Sequence, residues 1–273
     1  MTPAAASALP AVHVLPAPAD WSAIDFISDI HLAPDMPRTF DAWAAFLLAT
    51  PADAVFILGD LFDVWVGDDA RFEGFEAQCG AVLKQAAQRC RVGFMVGNRD
   101  FLLGKAMRAE CGLIDLPDPT LLQAFDQRVL LTHGDALCLA DTEYQRFRAT
   151  VRNPQWQAMA LGLALAERRR LAAQMRHVSE QRSADGLLPP EAADVAPEAA
   201  IAWMRAADAS VLVHGHTHRP GSAALAAGCM RHVLADWDLD HAARGARAEV
   251  LRLTRSGFER LDLARATRAS PAP

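Results

Sequence analysis

The chain has 273 residues, of which 52% are hydrophobic and 22% charged, a balance typical of an ordinary globular protein. The formal net charge is -6, so no global basic field draws the protein to nucleic acid. The net charge does not exclude local basic patches. The five cysteines are widely spaced and form no C-x-x-C pair. That usage argues against a disulfide framework or a thiolate zinc site and fits a reducing cytoplasm.

The N-terminal segment is rich in alanine and proline and lacks the basic region and continuous apolar run of a secretory signal. We interpret residues 1–20 as a flexible N-terminal arm. No stretch approaches the roughly 20 uninterrupted apolar residues of a membrane-spanning helix, so any contact with a membrane would be peripheral.

Short apolar runs alternate with helical patterns over residues 21–140. The strands are predicted over residues 23–28, 55–58, 92–96 and 128–132, and the helices over residues 39–49, 73–89 and 105–110.

Residues 141–207 contain no strand pattern and are interpreted as an inserted helical cap. Asn153 and Pro154 are suited to the N-cap and first position of a helix. Helices are predicted over residues 142–151, from residue 154 to about residue 179, and from residue 197 onward. Strands return at residues 210–213, with others at 232–236, 248–253 and 257–263, before a flexible tail at 264–273.

Five predicted strands end in side chains that can bind a metal: Asp29 with His31, Asp60, Asn98, His133, and His214 with His216 and His218. Each of these residues alone could be an ordinary turn or structural residue. Together they are expected to meet at the carboxyl edge of one sheet. Carboxylates desolvated side by side cost several kcal/mol unless a cation lies between them. Carboxylate, amide and imidazole ligands without thiolate favour Mn, Fe, Zn or Co, so the pattern predicts one or two such ions.

Asp29-Ile-His31, Gly59-Asp60, Gly97-Asn98-Arg99-Asp100, His133-Gly134-Asp135 and Gly215-His216-Thr-His218 resemble the five ordered motifs of the calcineurin-like metallophosphoesterases. The resemblance spans residues 29–218 and implies an α/β (α+β) fold, a β-sandwich flanked by helices. The core would comprise residues 21–140 and 208–263, with the cap at residues 141–207 inserted between them.

The resemblance also implies two divalent metal ions. Asp29, His31, Asp60 and His218 would hold one ion, and Asp60, Asn98, His133 and His216 the other. His214 lies outside this pattern and is interpreted as structural. The predicted catalytic residues are Asp60, Asn98, Arg99 and His133.

Arg99 stands where the family usually has His. An arginine there could bind a phosphate oxygen in a forked geometry. The alternative is a surface salt bridge between Arg99 and Asp100.

Longer stretches around the motifs, at residues 27–32, 58–65, 97–104 and 214–220, narrow the resemblance to the UDP-2,3-diacylglucosamine hydrolases of lipid A biosynthesis. That family implies Mn²⁺-dependent water attack on the α-phosphate of a lipid-linked nucleotide sugar, giving UMP and 2,3-diacylglucosamine 1-phosphate. It also implies a cytoplasmic protein that is peripheral on the cytoplasmic face of the inner membrane, with no nucleic-acid partner. The sequence is silent on oligomeric state.

The resemblance implies substrate contacts at Asn98, Arg99, Asp141, Tyr144, Ser179, Ser183, Gly186 and His216. Gly186 stands where the family has Lys, and Arg182 could substitute for that Lys. Trp65, Phe101, Tyr144 and Phe147 could line a slot for the acyl chains or pack in a core. The run Arg168-Arg169-Arg170, with Arg176, could touch anionic lipid or form a solvated helix face.

Two alternatives stay open at this point. The first is another metallophosphoesterase, acting on a nucleotide or on nucleic acid, which should show a basic, aromatic-lined groove or lack a cap. The second is a non-catalytic scaffold, which would be expected to lose metal ligands.

Overall fold

The computed structural model describes residues 8–184, 194–241 and 245–268, and for the helical residues 177–184 it describes the backbone only. In chain order the strands are β1 (His13–Pro16), β2 (Ala23–Ile27), β3 (Ala54–Leu58), β4 (Arg91–Met95), β5 (Ile114–Asp115), β6 (Thr120–Ala124), β7 (Gln127–Leu131), β8 (Val211–His214), β9 (Gly221–Ala226), β10 (Cys229–Val233), β11 (Val250–Thr254) and β12 (Gly257–Leu261). The helices are α1 (Pro37–Ala49), α2 (Gly74–Ala86), α3 (Lys105–Cys111), α4 (Thr142–Val151), α5 (Pro154–Leu161), α6 (Leu165–Ala184), α7 (Pro197–Ala206) and α8 (Leu263–Ala266).

The strands form two six-stranded sheets. The first sheet has the order β12-β11-β2-β3-β4-β5, in which β2 to β5 are parallel. The second has the order β1-β6-β7-β8-β10-β9, in which β7, β8 and β10 are parallel. The predicted α/β (α+β) sandwich flanked by helices is therefore confirmed.

The alternation of side chains along β3 shows how the layers are built. Val55 and Ile57 pack under the helices on the outer face of the first sheet. Phe56 and Leu58 point the other way, into the apolar layer between the two sheets. Every residue of β3 is buried, as expected for a continuous apolar strand covered on both faces.

Helix α7 covers the outer face of the second sheet. Its Trp203 and Met204 pack in one apolar cluster with Leu130 and Leu212 of β7 and β8. The predicted cap over residues 141–207 is therefore too long, because α7 belongs to the core.

Both chain ends are more ordered than predicted. Residues 13–16 form β1, which pairs in parallel with β6, so the predicted flexible arm at 1–20 is wrong for this part. Residues 1–7 lie outside the described ranges. At the other end, α8 buries Ala266, whose carbonyl accepts a hydrogen bond from Arg252 at 2.7 Å. The predicted flexible tail therefore does not begin at residue 264.

The predicted long helix after Asn153 is two helices. Asn153 caps α5, accepting from the backbone N–H of Gln155 at 2.9 Å, and Pro154 opens the helix as predicted. Helix α5 then ends at Leu161, and α6 begins at Leu165. None of the helices in the described parts of the chain is long and apolar enough to cross a membrane.

Candidate metal centre

The predicted ligand residues converge where strands of both sheets end. Asp29 and His31 follow β2, Asp60 follows β3 and Asn98 follows β4, all in the first sheet. His133 follows β7, and His216 and His218 follow β8, in the second sheet. The expectation of a single sheet edge is thus wrong: the site lies at the junction of the two sheets.

The backbone at these positions is strained. Eight non-glycine residues of the described chain have positive φ, and five of them are predicted ligands. Such conformations cost about 1–3 kcal/mol each and persist where the surrounding structure enforces them. The five are Asp29, His31, Asp60, His216 and His218, with φ between 51° and 66°.

Glycines let the ligand loops pass close to one another. Gly59 has φ of 90°, and a Cβ there would lie 2.5 Å from Nδ1 of His133. A Cβ on Gly97 would collide with the Asp60 carboxylate, and one on Gly215 with that of Asp29. The space beside Gly59 is therefore filled by other ligand loops, and a side chain at this position would not fit.

The first ligand group consists of Asp29, His31 and His218, whose ligand atoms lie within 4.8 Å of one another. Nε2 of His31 lies 3.2 Å from Nε2 of His218, which in turn lies 3.4 Å from Oδ1 of Asp29. Asp29 is buried and accepts from Ser28 Oγ at 2.5 Å and from the His216 backbone N–H at 2.9 Å. These hydrogen bonds hold the Asp29 carboxylate in place, whereas the His218 ring is exposed to solvent.

The second group consists of Asp60, His133 and His216, within the same 4.8 Å limit. Oδ1 of Asn98 lies between the two rings, 2.9 Å from Nε2 of His133 and 2.8 Å from Nδ1 of His216. Nδ1 of His133 donates to the Leu58 carbonyl at 2.9 Å, which turns Nε2 towards the site.

The electrostatics fit a divalent cation. Burial raises the pKa of Asp60 to about 7 although His133 opposes the shift, so a negative charge here lacks sufficient compensation from the protein. Desolvation lowers the pKa of His31 and of His216 to about 3, which keeps both rings neutral with lone pairs free to bind. Buried carboxylate with neutral imidazole and amide oxygen is a donor set for Mn, Fe, Zn or Co.

A family model described as calcineurin-like phosphoesterase matches residues 22–220. A protein from Bordetella parapertussis named UDP-2,3-diacylglucosamine hydrolase is 43% identical over 244 residues, which cover 86% of this chain and 93% of that protein. The chain belongs to the calcineurin-like phosphoesterases, in the UDP-2,3-diacylglucosamine hydrolase family.

Other relatives agree with this membership. Proteins of the same name from Ralstonia nicotianae and Chromobacterium violaceum are 45% and 44% identical, covering 80% and 82% of this chain and 84% and 92% of their own lengths. A solved structure, vacuolar protein sorting 29 from Cryptosporidium parvum, matches with a TM-score of 0.42 at 15% identity over 86% of each chain. The family model and the curated relatives show that the chain is an enzyme of the hydrolase class, and the scaffold alternative is set aside because every predicted ligand is at the site.

In this phosphoesterase Arg99 does not pair with Asp100. Asp100 is fully buried and accepts from the backbone N–H groups of Gly97 at 2.7 Å and Leu61 at 2.8 Å. The surface salt bridge considered for Arg99 is therefore wrong, and Asp100 shapes the loop that carries Asn98. Arg99 is partly buried next to the ligands.

Two further predictions concern His214 and Tyr144. His214 is fully buried, with Nδ1 2.8 Å from the Gly215 carbonyl, in line with a structural role. Tyr144 lies with its ring centroid 5.6 Å from that of His216, and its hydroxyl donates to Asp135 at 2.7 Å. Asp141 accepts from the Tyr144 backbone N–H at 2.9 Å and so caps α4.

The remaining predicted substrate contacts are Ser179, Ser183 and Gly186. Ser179 and Ser183 belong to α6, within the part where only the backbone is described, as does Arg182. Gly186 lies outside the described residues.

The candidate wall residues have different environments. Trp65 is buried in the core, with its ring 4.6 Å from that of Phe62. Phe101 lies between the core and the cap, with its ring 6.0 Å from that of Trp156. Phe147 is 38% exposed. Among the residues whose side chains the structure describes, nine large apolar side chains are exposed, and five of them lie on α4 to α6: Phe147, Met159, Leu161, Leu171 and Met175.

The basic run of α6 is largely engaged with the core. Arg168 is only 5% exposed and binds the Asp69 carboxylate, with Nη1 2.9 Å from Oδ1. Arg169 lies 3.3 Å from Glu76, and Arg176 pairs with Asp63. The idea of a run that faces a lipid surface is therefore wrong for Arg168, whose role is to dock α6.

Three contributions to the site were missed in the sequence. Asp236, held by Arg247 Nη2 at 2.7 Å, lies 3.9 Å from Nδ1 of His218. Ser28 binds Asp29, and Asp135 binds the cap. Asp135 belongs to the His133-Gly134-Asp135 motif, whereas no motif in the sequence marks Asp236 as part of the site.

Proposed function

We propose that this chain hydrolyses the pyrophosphate bond of UDP-2,3-diacylglucosamine, with water attacking the α-phosphate, and releases UMP and 2,3-diacylglucosamine 1-phosphate. The observation that carries the proposal is the match to a relative of that name over 86% of this chain. A match of that length must include part of residues 141–207. Those residues include helices with exposed apolar side chains, such as Met159 and Leu161, which are expected to accommodate acyl chains.

In this proposal Asp29, His31, Asp60 and His218 hold one divalent ion, and Asp60, Asn98, His133 and His216 hold the other, with Mn²⁺ expected. When bound, such ions neutralise charge on the phosphate oxygens and make water acidic enough to supply a nucleophile near neutral pH. Asp60 is assigned to both sets by the family resemblance, and its buried carboxylate lies with His133 and His216 in the second ligand group.

The protein's own residues orient the substrate. Asn98 supplies a neutral ligand, and the guanidinium of Arg99 binds a phosphate oxygen and shields its charge from the attacking water. His216 and Tyr144 contact the substrate next to the metal ligands, and Asp141, Ser179, Ser183 and Gly186 are the further proposed substrate contacts.

The lipid part of the substrate implies a membrane partner. We propose a peripheral position on the cytoplasmic face of the inner membrane, through the apolar side chains exposed on α5 and α6. Met159, 64% exposed, and Leu161, 44% exposed, are the leading contacts. Co-sedimentation with anionic vesicles should fall when both become Ser, and unchanged binding would contradict this arrangement.

The decisive experiment is UMP release from UDP-2,3-diacylglucosamine by the purified chain with Mn²⁺, compared with bis(p-nitrophenyl) phosphate under the same conditions. UMP release supports the proposed substrate. Turnover of the simple diester without UMP release would refute it and favour another phosphodiesterase of this family.

A further inference from the structure

The cap meets the metal loops through a buried polar joint. Asp135, two residues beyond His133, is fully buried and accepts from the hydroxyl of Tyr144 at 2.7 Å and from Nε of Arg148 at 2.9 Å. The Arg148 guanidinium also lies 4.0 Å from Asp118. Helix α4 is thus held against the core by Arg148, which contacts two core carboxylates, and by the hydroxyl of Tyr144.

Arg152, the residue that follows α4, extends this joint to the backbone of a ligand loop. Its Nη2 donates to the Gly97 carbonyl at 2.9 Å and lies 3.4 Å from the Val96 carbonyl. The same nitrogen lies 3.8 Å from Asp135, and the guanidinium is 6.0 Å from the ring centroid of Phe101. The Arg152 side chain is 21% exposed, so these charge-assisted bonds are largely shielded from water.

The Gly97 carbonyl belongs to the peptide bond that leads into Asn98. The N–H of Gly97 donates to Asp100 at 2.7 Å, and the N–H of Arg99 donates to Asp60 at 2.8 Å. Both of those acceptors are in the core. The hydrogen bond on the Gly97 carbonyl comes from the cap.

We infer that Arg152 is a positioning residue that makes the metal centre depend on the cap. Without the hydrogen bond from Arg152, the peptide unit between Gly97 and Asn98 is free to rotate. The Asn98 side-chain oxygen then loses its position between the rings of His133 and His216. The inference rests on the proposed metal site but not on the proposed substrate. Because coupling between two sites is reciprocal, a cation in the centre also holds α4 against the core.

The test compares Arg152→Ala with Arg146→Ala on the full chain. Arg146 is an exposed arginine of α4 and serves as the matched control. We expect Arg152→Ala to weaken Mn²⁺ binding in calorimetry about tenfold and to lower kcat more than it changes KM. Arg146→Ala should match the wild type, and Arg152→Lys should restore part of the affinity because an ammonium can still reach one carbonyl.

Hydrogen exchange supplies a readout that needs no variant. Mn²⁺ should slow exchange of the amides in α4 of the wild-type chain. Equal exchange with and without bound Mn²⁺ would overturn the inference even if Arg152→Ala does not fold. Unchanged Mn²⁺ affinity in a folded Arg152→Ala variant would also overturn it, and the proposed function would stand. A wild-type chain that binds no divalent metal would overturn both.

Discussion

The most informative perturbation is Asp60→Asn, which keeps the shape of the side chain and removes its charge. Asn can still accept the Arg99 N–H that Asp60 now binds at 2.8 Å, so the loop should keep its conformation. At an effective dielectric constant of about 20, a pair of unit charges about 4 Å apart interacts with about 4 kcal/mol. A divalent ion next to this carboxylate should therefore bind at least about a thousandfold more weakly.

If Asp60 contacts both ions, both sites weaken in Asp60→Asn and nearly all turnover is lost. Metal content by mass spectrometry and Mn²⁺ titration by calorimetry measure the first effect, and UMP release measures the second. Asp126→Asn makes the same chemical change at an exposed turn and should behave as wild type. Two tightly bound ions and near-normal turnover in Asp60→Asn would refute the two-metal interpretation.

Three further predictions use other parts of the chain. His31→Ala should lose one of the two Mn²⁺ ions and keep the other, and loss of both would contradict the grouping of ligands. Burial opposes the charged form, but the carboxylates of Asp60 and others raise the pKa of His133 to about 9, so the metal-free site holds a proton that a cation must displace. Between about pH 7, above which the Asp60 carboxyl is also charged, and about pH 9, the apparent Mn²⁺ affinity should rise about tenfold per pH unit, and it should level off above pH 9; a pH-independent affinity in this range would exclude the His133 proton. Arg252→Ala should lower the free energy of unfolding in urea by about 3–5 kcal/mol, because it leaves the fully buried Asp25, now 2.7 Å from Arg252, without its charged partner. A loss below about 1 kcal/mol would contradict that prediction.

The ligand residues could be predicted because each lies two to four residues after the end of a short apolar strand. In β3 the run, the glycine and the carboxylate are adjacent in the sequence, so the strand, the turn and the ligand are predicted together. The division of these strands between two sheets was not predictable in the same way, since pairing partners such as β7 and β8 are separated by the whole cap.

Other elements lacked a local signal. Strand β9 reads Gly-Ser-Ala-Ala-Leu-Ala, without the β-branched and aromatic residues that mark strands, and it exists because β10 pairs with it. Strand β1 contains proline and lies at a sheet edge, where a missing N–H is tolerated. The roles of Arg152 and Asp236 depend on contacts across the fold, which no spacing of residues could reveal.

The junction of the two sheets at the ligand loops has a consequence for folding. Neither sheet alone carries a full ligand set, since each group combines residues that follow strands of the first sheet with histidines that follow strands of the second. A bound cation would therefore act as a cross-link across the sandwich, present only after both halves have docked. Its binding energy would add to the stability of the whole domain rather than to one loop. Metal depletion would then loosen the packing of one sheet on the other before it disrupts either sheet.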